Sequence, residues 1–135
     1  MENSPNPQSQ FKGKTGIRRI INAYHYSCAG LKAAFEEQGF RQLVYLNGVL
    51  VFVALFFSFA LMTKALLIAV SFGLLIIELF NTSIEAAVDH TSLEKHHLAK
   101  RAKDTASAAQ LLGIVTLIIV WIFALISDKP WQGWF

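Results

Sequence analysis

From Leu43 to Ile77 the only formally charged residue is Lys64, and from Thr105 to Ser127 there is none. A hydrocarbon layer about 30 Å thick is crossed by roughly 20 apolar residues rising about 1.5 Å each, so these runs supply two spans on either side of Lys64 and a third beyond. We place the spans at about residues 43–62, 65–87 and 105–126. The runs are continuous rather than alternating, and three strands cannot close a barrel, which leaves helices as the spanning element. An all-α integral membrane fold follows. The first run begins too far into the chain, and without a small-residue cleavage site, to read as a signal peptide. A hydrophobic content of 54% over 135 residues would suit a small globular domain only if the apolar residues were dispersed. One cysteine, Cys28, excludes an intrachain disulfide framework.

Basic residues are distributed unevenly around the spans. Lys12, Lys14, Arg18, Arg19, Lys32 and Arg41 precede the first, and Lys95, Lys100, Arg101 and Lys103 lie between the second and third. The turn expected at 62–65 has only Lys64, and the tail only Lys129. Basic flanks stay in the cytoplasm, so the N-terminus and the 89–104 loop are expected inside and the C-terminus outside. The formal charge of +3 then expresses orientation and attraction to anionic lipid, with no nucleic-acid partner.

Residues 1–16 are expected to be a flexible segment with Pro5, Pro7 and many polar side chains. From Ile17 the apolar positions Ile20, Ile21, Tyr24, Cys28, Leu31 and Phe35 recur at helical spacing. Arg18, Arg19, Asn22 and Lys32 fill much of the remaining circumference, so residues 17–39 read as an amphipathic helix on the membrane surface, broken near Gly39. Residues 40–127 form the three-span membrane domain and 128–135 a short tail. Trp131, Trp134 and Phe135 suit an interfacial aromatic belt. Three helices share little interior, so a homo-oligomer is expected.

The chemistry is expected at the end of the second span. At about 100° per residue, with Glu78 set at 0°, Asn81 falls near −60°, Glu85 near −20° and Asp89 near +20°. Three carboxylates and an amide thus line one helix face. A charge at mid-span costs about 2.5–3.5 kcal/mol on insertion scales, so such a row implies cations, metal or water opposite it. Two carboxylates suit Mg²⁺ with substrate phosphate, and a third suits a general base. Further on, Lys100, Arg101, Lys103 and Asp104 give way to small residues at 102, 106, 109 and 113, which permit close helix approach. Lys103 can reach phosphate, and Asp104 can bind metal or fix the lysine. His25, His90, His96 and His97 show no zinc spacing.

The surface helix, the three spans, the run Glu78-x-x-Asn81-Thr82-x-Ile84-Glu85-x-x-x-Asp89 and the sequence Ala102-Lys103-Asp104 resemble the small bacterial integral-membrane diacylglycerol kinase family, which also includes undecaprenol kinases. The likeness covers about residues 17–127. It implies ATP- and Mg²⁺-dependent phosphorylation of a membrane lipid hydroxyl at the cytoplasmic surface of the bacterial inner membrane, by homotrimers that share active sites. By resemblance, Glu78 is the general base, with Asn81 and Asp89 at further catalytic positions. Glu85 holds the metal with help from a surface-helix glutamate. That helix ends one residue earlier than in the diacylglycerol-specific branch, which makes Glu37 the assisting ligand, with Glu36 as the alternative. Glu94, Lys95 and His96 match nucleotide contacts, as do Lys103 with Asp104, and Arg19 and Tyr26 on the surface helix. Leu43 and His97 stand where that branch often has other residues, departures that bear on the lipid accepted rather than on phosphoryl transfer.

Diacylglycerol is therefore the expected acceptor, with undecaprenol as the alternative. An ion or proton carrier would need the carboxylate row to continue across the membrane. Leu43 to Ile77 offers only Asn47, Ser58, Thr63, Lys64 and Ser71 as clearly polar groups. A purely structural subunit would have no need of three carboxylates facing one way.

Overall fold

The chain forms four helices in the computed structural model, which describes residues 16–91 and 96–132: α1 (Ile17–Glu36), α2 (Gln38–Phe56), α3 (Leu61–Thr91) and α4 (His97–Asp128). No strand occurs among the described residues, and α2, α3 and α4 are long and apolar enough to cross a membrane. Lipid offers no partner to a backbone N–H or C=O, so such runs satisfy their hydrogen bonds internally as helices. With 31 and 32 residues, α3 and α4 extend beyond the hydrocarbon layer, since each is roughly 45 Å long at about 1.5 Å per residue.

Two compact units divide between Ala33 and Ala34. The first contains most of α1, which leaves Ile17, Ile20, Tyr24 and Leu31 exposed along with Arg18, Arg19 and Lys32. Residues 1–15 of the expected flexible segment, and Trp134 and Phe135 of the expected belt, lie outside the described residues. Trp131 is described and is exposed.

In the second unit α3 packs against both α2 and α4. Its buried residues Leu67, Ser71, Leu74 and Glu78 follow a seven-residue rhythm, and those of α2, Phe40, Asn47 and Ala54, are seven apart. Against α4 the approach is close: a Cβ at Gly113 would lie 3.0 Å from the Cδ1 atoms of Ile77 and Leu74. The outward faces remain apolar and uncovered, as at Phe72, Ile76, Ile118 and Phe123, which suits contact with lipid tails.

The helix ends differ from the expected spans, α4 in particular beginning at His97 within the expected 89–104 loop, and two of the differences have visible causes. The first helix breaks at Glu37, whose φ of −77° and ψ of 131° are extended, while Gly39 lies inside the first turn of α2. Arg41 decides this: its Nη1 donates to the carbonyls of Phe35 at 2.8 Å and Glu36 at 2.7 Å, satisfying the orphan acceptors at the end of α1. The turn between α2 and α3 occupies residues 57–60 rather than 62–65. Phe59 is buried there with Ala54, Leu67 and Ala124, its ring edge-on to Trp121 at 6.0 Å. The Ala60 N–H donates to Asp128 Oδ2 of α4 at 2.8 Å. Lys64 falls in the first turn of α3, and its Nζ donates to the Leu55 carbonyl at 3.1 Å near the end of α2.

Candidate active site at the end of the third helix

The buried stripe of α3 runs from Leu67 through Ser71 and Leu74 to Glu78, and then becomes polar. Glu78 is 7% exposed and carries the only buried carboxylate among the described residues. It lies against the first turn of α2, where a Cβ on Gly39 would stand 2.9 Å from its Oε1. One turn further along α3, Asn81 is half-buried, and its Nδ2 donates to Glu85 Oε1 at 3.5 Å, the outer limit of a hydrogen bond. Asn81 Oδ1 is buried without a partner and so remains available as an acceptor. Glu85 and Asp89 are exposed.

Asp89 joins this face of α3 to α4. Its Oδ1 lies 2.6 Å from Lys103 Nζ in the second turn of α4. Asp104, read from the sequence as able to bind metal or to fix Lys103, pairs here with Lys100, one helical turn before it. Neighbouring residues on a helix point about 100° apart, whereas residues four apart share a face, so Lys103 is free to reach across to α3. The Glu85 charge repels the Glu78 carboxylate and attracts the Lys103 ammonium. Glu78, Asn81, Glu85, Asp89 and Lys103 therefore form one electrostatic unit: a deep carboxylate at one end, a lysine at the other, and two exposed carboxylates between them.

Among the described residues, no hydrogen bond or ion pair ties Glu36, Glu37 or His96 to this group. Glu37 is exposed at the α1–α2 break and makes no side-chain capping bond, and Glu36 is exposed beside it. Arg19 and Tyr26 are exposed on α1, in the other compact unit. Glu94 and Lys95 lie outside the described residues. His96 caps α4, its Nδ1 accepting from the Leu98 N–H at 3.3 Å. The hydroxyl of Ser83 donates to Leu79 O at 2.7 Å and that of Thr91 to Ala87 O at 2.7 Å. Both groups are thus spent on their own helix.

Two residues near this end carry structure that the sequence pattern passed over. Gly39 was read as a breaker, and no one-dimensional signal marks its approach to Glu78. Gln110 in α4 has both amide atoms buried and without partners. A lone amide within a run free of charge was a visible signal for it.

Chemically, a donor set of this kind can meet phosphate by charge and take a proton on the buried carboxylate. Among the described residues, no three His, Cys, Asp or Glu side chains gather closely enough to hold a metal by themselves.

Comparison with known proteins places the geometry in context. The prokaryotic diacylglycerol kinase family matches residues 25–125. The chain is 49% identical over 125 residues to the diacylglycerol kinase of Pseudomonas aeruginosa, covering 92% of this chain and 99% of the relative. It is 44% identical to that of Helicobacter pylori over 78% of this chain and 84% of the relative. It is 40% identical to that of Escherichia coli strain K12 over 84% of this chain and 93% of the relative.

Proposed function

The chain belongs to the prokaryotic diacylglycerol kinase family, and we propose that it transfers the γ-phosphate of ATP to the hydroxyl of diacylglycerol, giving phosphatidic acid at the cytoplasmic membrane surface. The observation that carries this reading is the polar end of α3. One buried carboxylate, Glu78, lies two helical turns from the exposed Glu85, and Asp89 beyond it holds Lys103.

Phosphoryl transfer asks little covalent chemistry of a protein; it asks for positioning and for charge against the phosphates. Glu78 is assigned the proton of the lipid hydroxyl. As that oxygen attacks the γ-phosphorus, the bond to the β–γ bridging oxygen breaks and ADP leaves. Burial keeps water from competing for this carboxylate. Asn81 is assigned to orient the reacting groups through its free acceptor, and Lys103 to meet phosphate charge, with Asp89 setting its direction. A lipid hydroxyl at the depth of the helix end need not leave the membrane.

Mg²⁺ fits the donor set as a metal that arrives with the nucleotide, because such sites use one or two carboxylates and complete the shell with phosphate and water. Glu85 with Glu37 would hold it, and when bound it would neutralise the transferring phosphates. Asp104, His96, Glu94, Lys95, Arg19 and Tyr26 are assigned to nucleotide by the family resemblance alone. The same resemblance underlies the homotrimer with shared sites and the inner-membrane location. The orientation proposed, with the junction of α3 and α4 in the cytoplasm, follows from the distribution of Lys and Arg.

The test is transfer of labelled γ-phosphate from ATP to diacylglycerol and to undecaprenol, presented side by side in mixed micelles with Mg²⁺, with Glu78→Gln as control. Labelled phosphatidic acid from the native chain and none from Glu78→Gln is the expected result. Product mainly from undecaprenol would reassign the acceptor, and no product from either lipid in a correctly assembled protein would overturn the kinase reading.

A further inference from the structure

We infer that Gly39 is a positioning residue for Glu78: the missing side chain at 39 is what allows the carboxylate of α3 to settle against the first turn of α2. This rests on the proposed role of Glu78 as the general base. A Cβ built on Gly39 would lie 2.9 Å from Glu78 Oε1, closer than real Cβ atoms come to a neighbour, and beyond its chain neighbours and its own helix backbone that oxygen is the one described atom within 4 Å.

Backbone conformation does not call for glycine here. Gly16 is the positive-φ glycine among the described residues, whereas Gly39 lies within an ordinary helical turn. Glycine weakens a helix relative to alanine, so helix preference gives no reason for it inside α2, and the observation that sets Gly39 apart is the space it leaves. Elsewhere on the helices, Gly30, Gly48 and Gly73 have nothing within 4 Å of a would-be Cβ, and Gly113 faces hydrocarbon. Gly39 alone among the described glycines makes room for a charged oxygen.

The first turn of α2 is also held in place, so it cannot retreat from an added methyl group. Phe40 is 2% exposed and packs edge-on against Phe35 at 5.3 Å. Arg41 is tied to the carbonyls of Phe35 and Glu36. A Cβ at position 39 would therefore displace the Glu78 carboxylate and leave the backbone where it is. The carboxylate has its own reason to rest there, since the N-terminal turn of a helix favours negative charge and Glu37 makes no side-chain cap. Gly39 thus sets where the base sits relative to the lipid hydroxyl, and misplacing a catalytic group by about 1 Å costs on the order of 100-fold in rate.

The test is a double-mutant cycle on the full-length protein in mixed micelles. Gly39→Ala in the native background is expected to lower kcat by about 10- to 100-fold while KM for ATP and for lipid stays within about twofold. Glu78→Asp withdraws the carboxylate by one methylene, away from the new Cβ. In that background, Gly39→Ala should change the residual kcat by less than about twofold. A native kcat for Gly39→Ala, or an equal fold loss in both backgrounds, overturns the inference. Should Gly39→Ala fail to assemble, the Gly39→Ala, Glu78→Ala protein decides: restored assembly supports a clash with the carboxylate, and continued failure rejects it. Retained turnover in Glu78→Gln removes the base assignment itself. An inactive Glu78→Gln beside a fully active Gly39→Ala removes only the role of Gly39.

Discussion

Lys103 Nζ lies 2.6 Å from Asp89 Oδ1, an ion pair that ties the end of α3 to the start of α4. Both side chains are substantially exposed, so the pair contributes little to holding the fold; its effect is to aim the lysine at the carboxylate face. Lys103→Met should lower kcat/KM for ATP by about 10- to 100-fold with an almost unchanged melting temperature, because the charge proposed to meet the phosphates is lost. Asp89→Asn should cost less, since it releases the lysine without removing it. Steady-state kinetics at varied ATP, alongside thermal melts, check both, and a normal kcat/KM in Lys103→Met would take this residue out of the phosphate site.

Glu85 separates a metal role from a proton role. Glu85→Gln should raise the Mg²⁺ concentration for half-maximal activity by about tenfold, with activity partly recovered at high Mg²⁺. Glu37→Gln should move it in the same direction. Titration of activity against free Mg²⁺ measures the shift, and an unchanged requirement in both variants would exclude these carboxylates as ligands.

At Gly113 the limit is steric. A Cβ there already reaches 3.0 Å from Ile77 and Leu74, so the larger Gly113→Val should force α3 and α4 apart. Overpacking of this kind costs about 1–3 kcal/mol, read as a lower unfolding midpoint in detergent. Stability equal to the native protein would mean that the two helices separate at no cost.

At the opposite end of the bundle, Asp128 accepts from the Ala60 N–H at 2.8 Å and so closes the turn that begins α3. Asp128→Ala should lower the melting temperature by about 2–5 °C and leave kcat within about twofold, since the carboxylate row lies at the other end of α3. A thermal melt paired with the kinase assay tests this, and a large loss of activity in a stable protein would show coupling between the two ends.

Much of the site was legible because helical periodicity is local. Glu78, Asn81, Glu85 and Asp89 share one face by their spacing alone, and the structure keeps them on one face of α3. The partner of Lys103 was not legible. Asp104 is adjacent in sequence but projects elsewhere and is taken by Lys100, while Asp89 comes within reach only when α4 folds back along α3. Gln110 stood out in the sequence as a lone amide in an uncharged run, but its burial was not legible, since that depends on which side of α4 meets its neighbours.

Sequence by itself determined an all-helical membrane chain, because apolar runs of this length can satisfy their backbone in lipid only as helices. It also determined the carboxylate row and its depth along α3. Tertiary structure decided where the helices stop and what meets what. The α1 break is at Glu37 because Arg41 caps Phe35 and Glu36, and the α2–α3 turn is at 57–60 because Phe59 is buried near Trp121 and Ala60 is held by Asp128. It decided as well that Glu78 rests against Gly39. Most of these join residues far apart in the chain, where no local preference can specify them and only the packing of α2 and α4 on α3 brings the partners together.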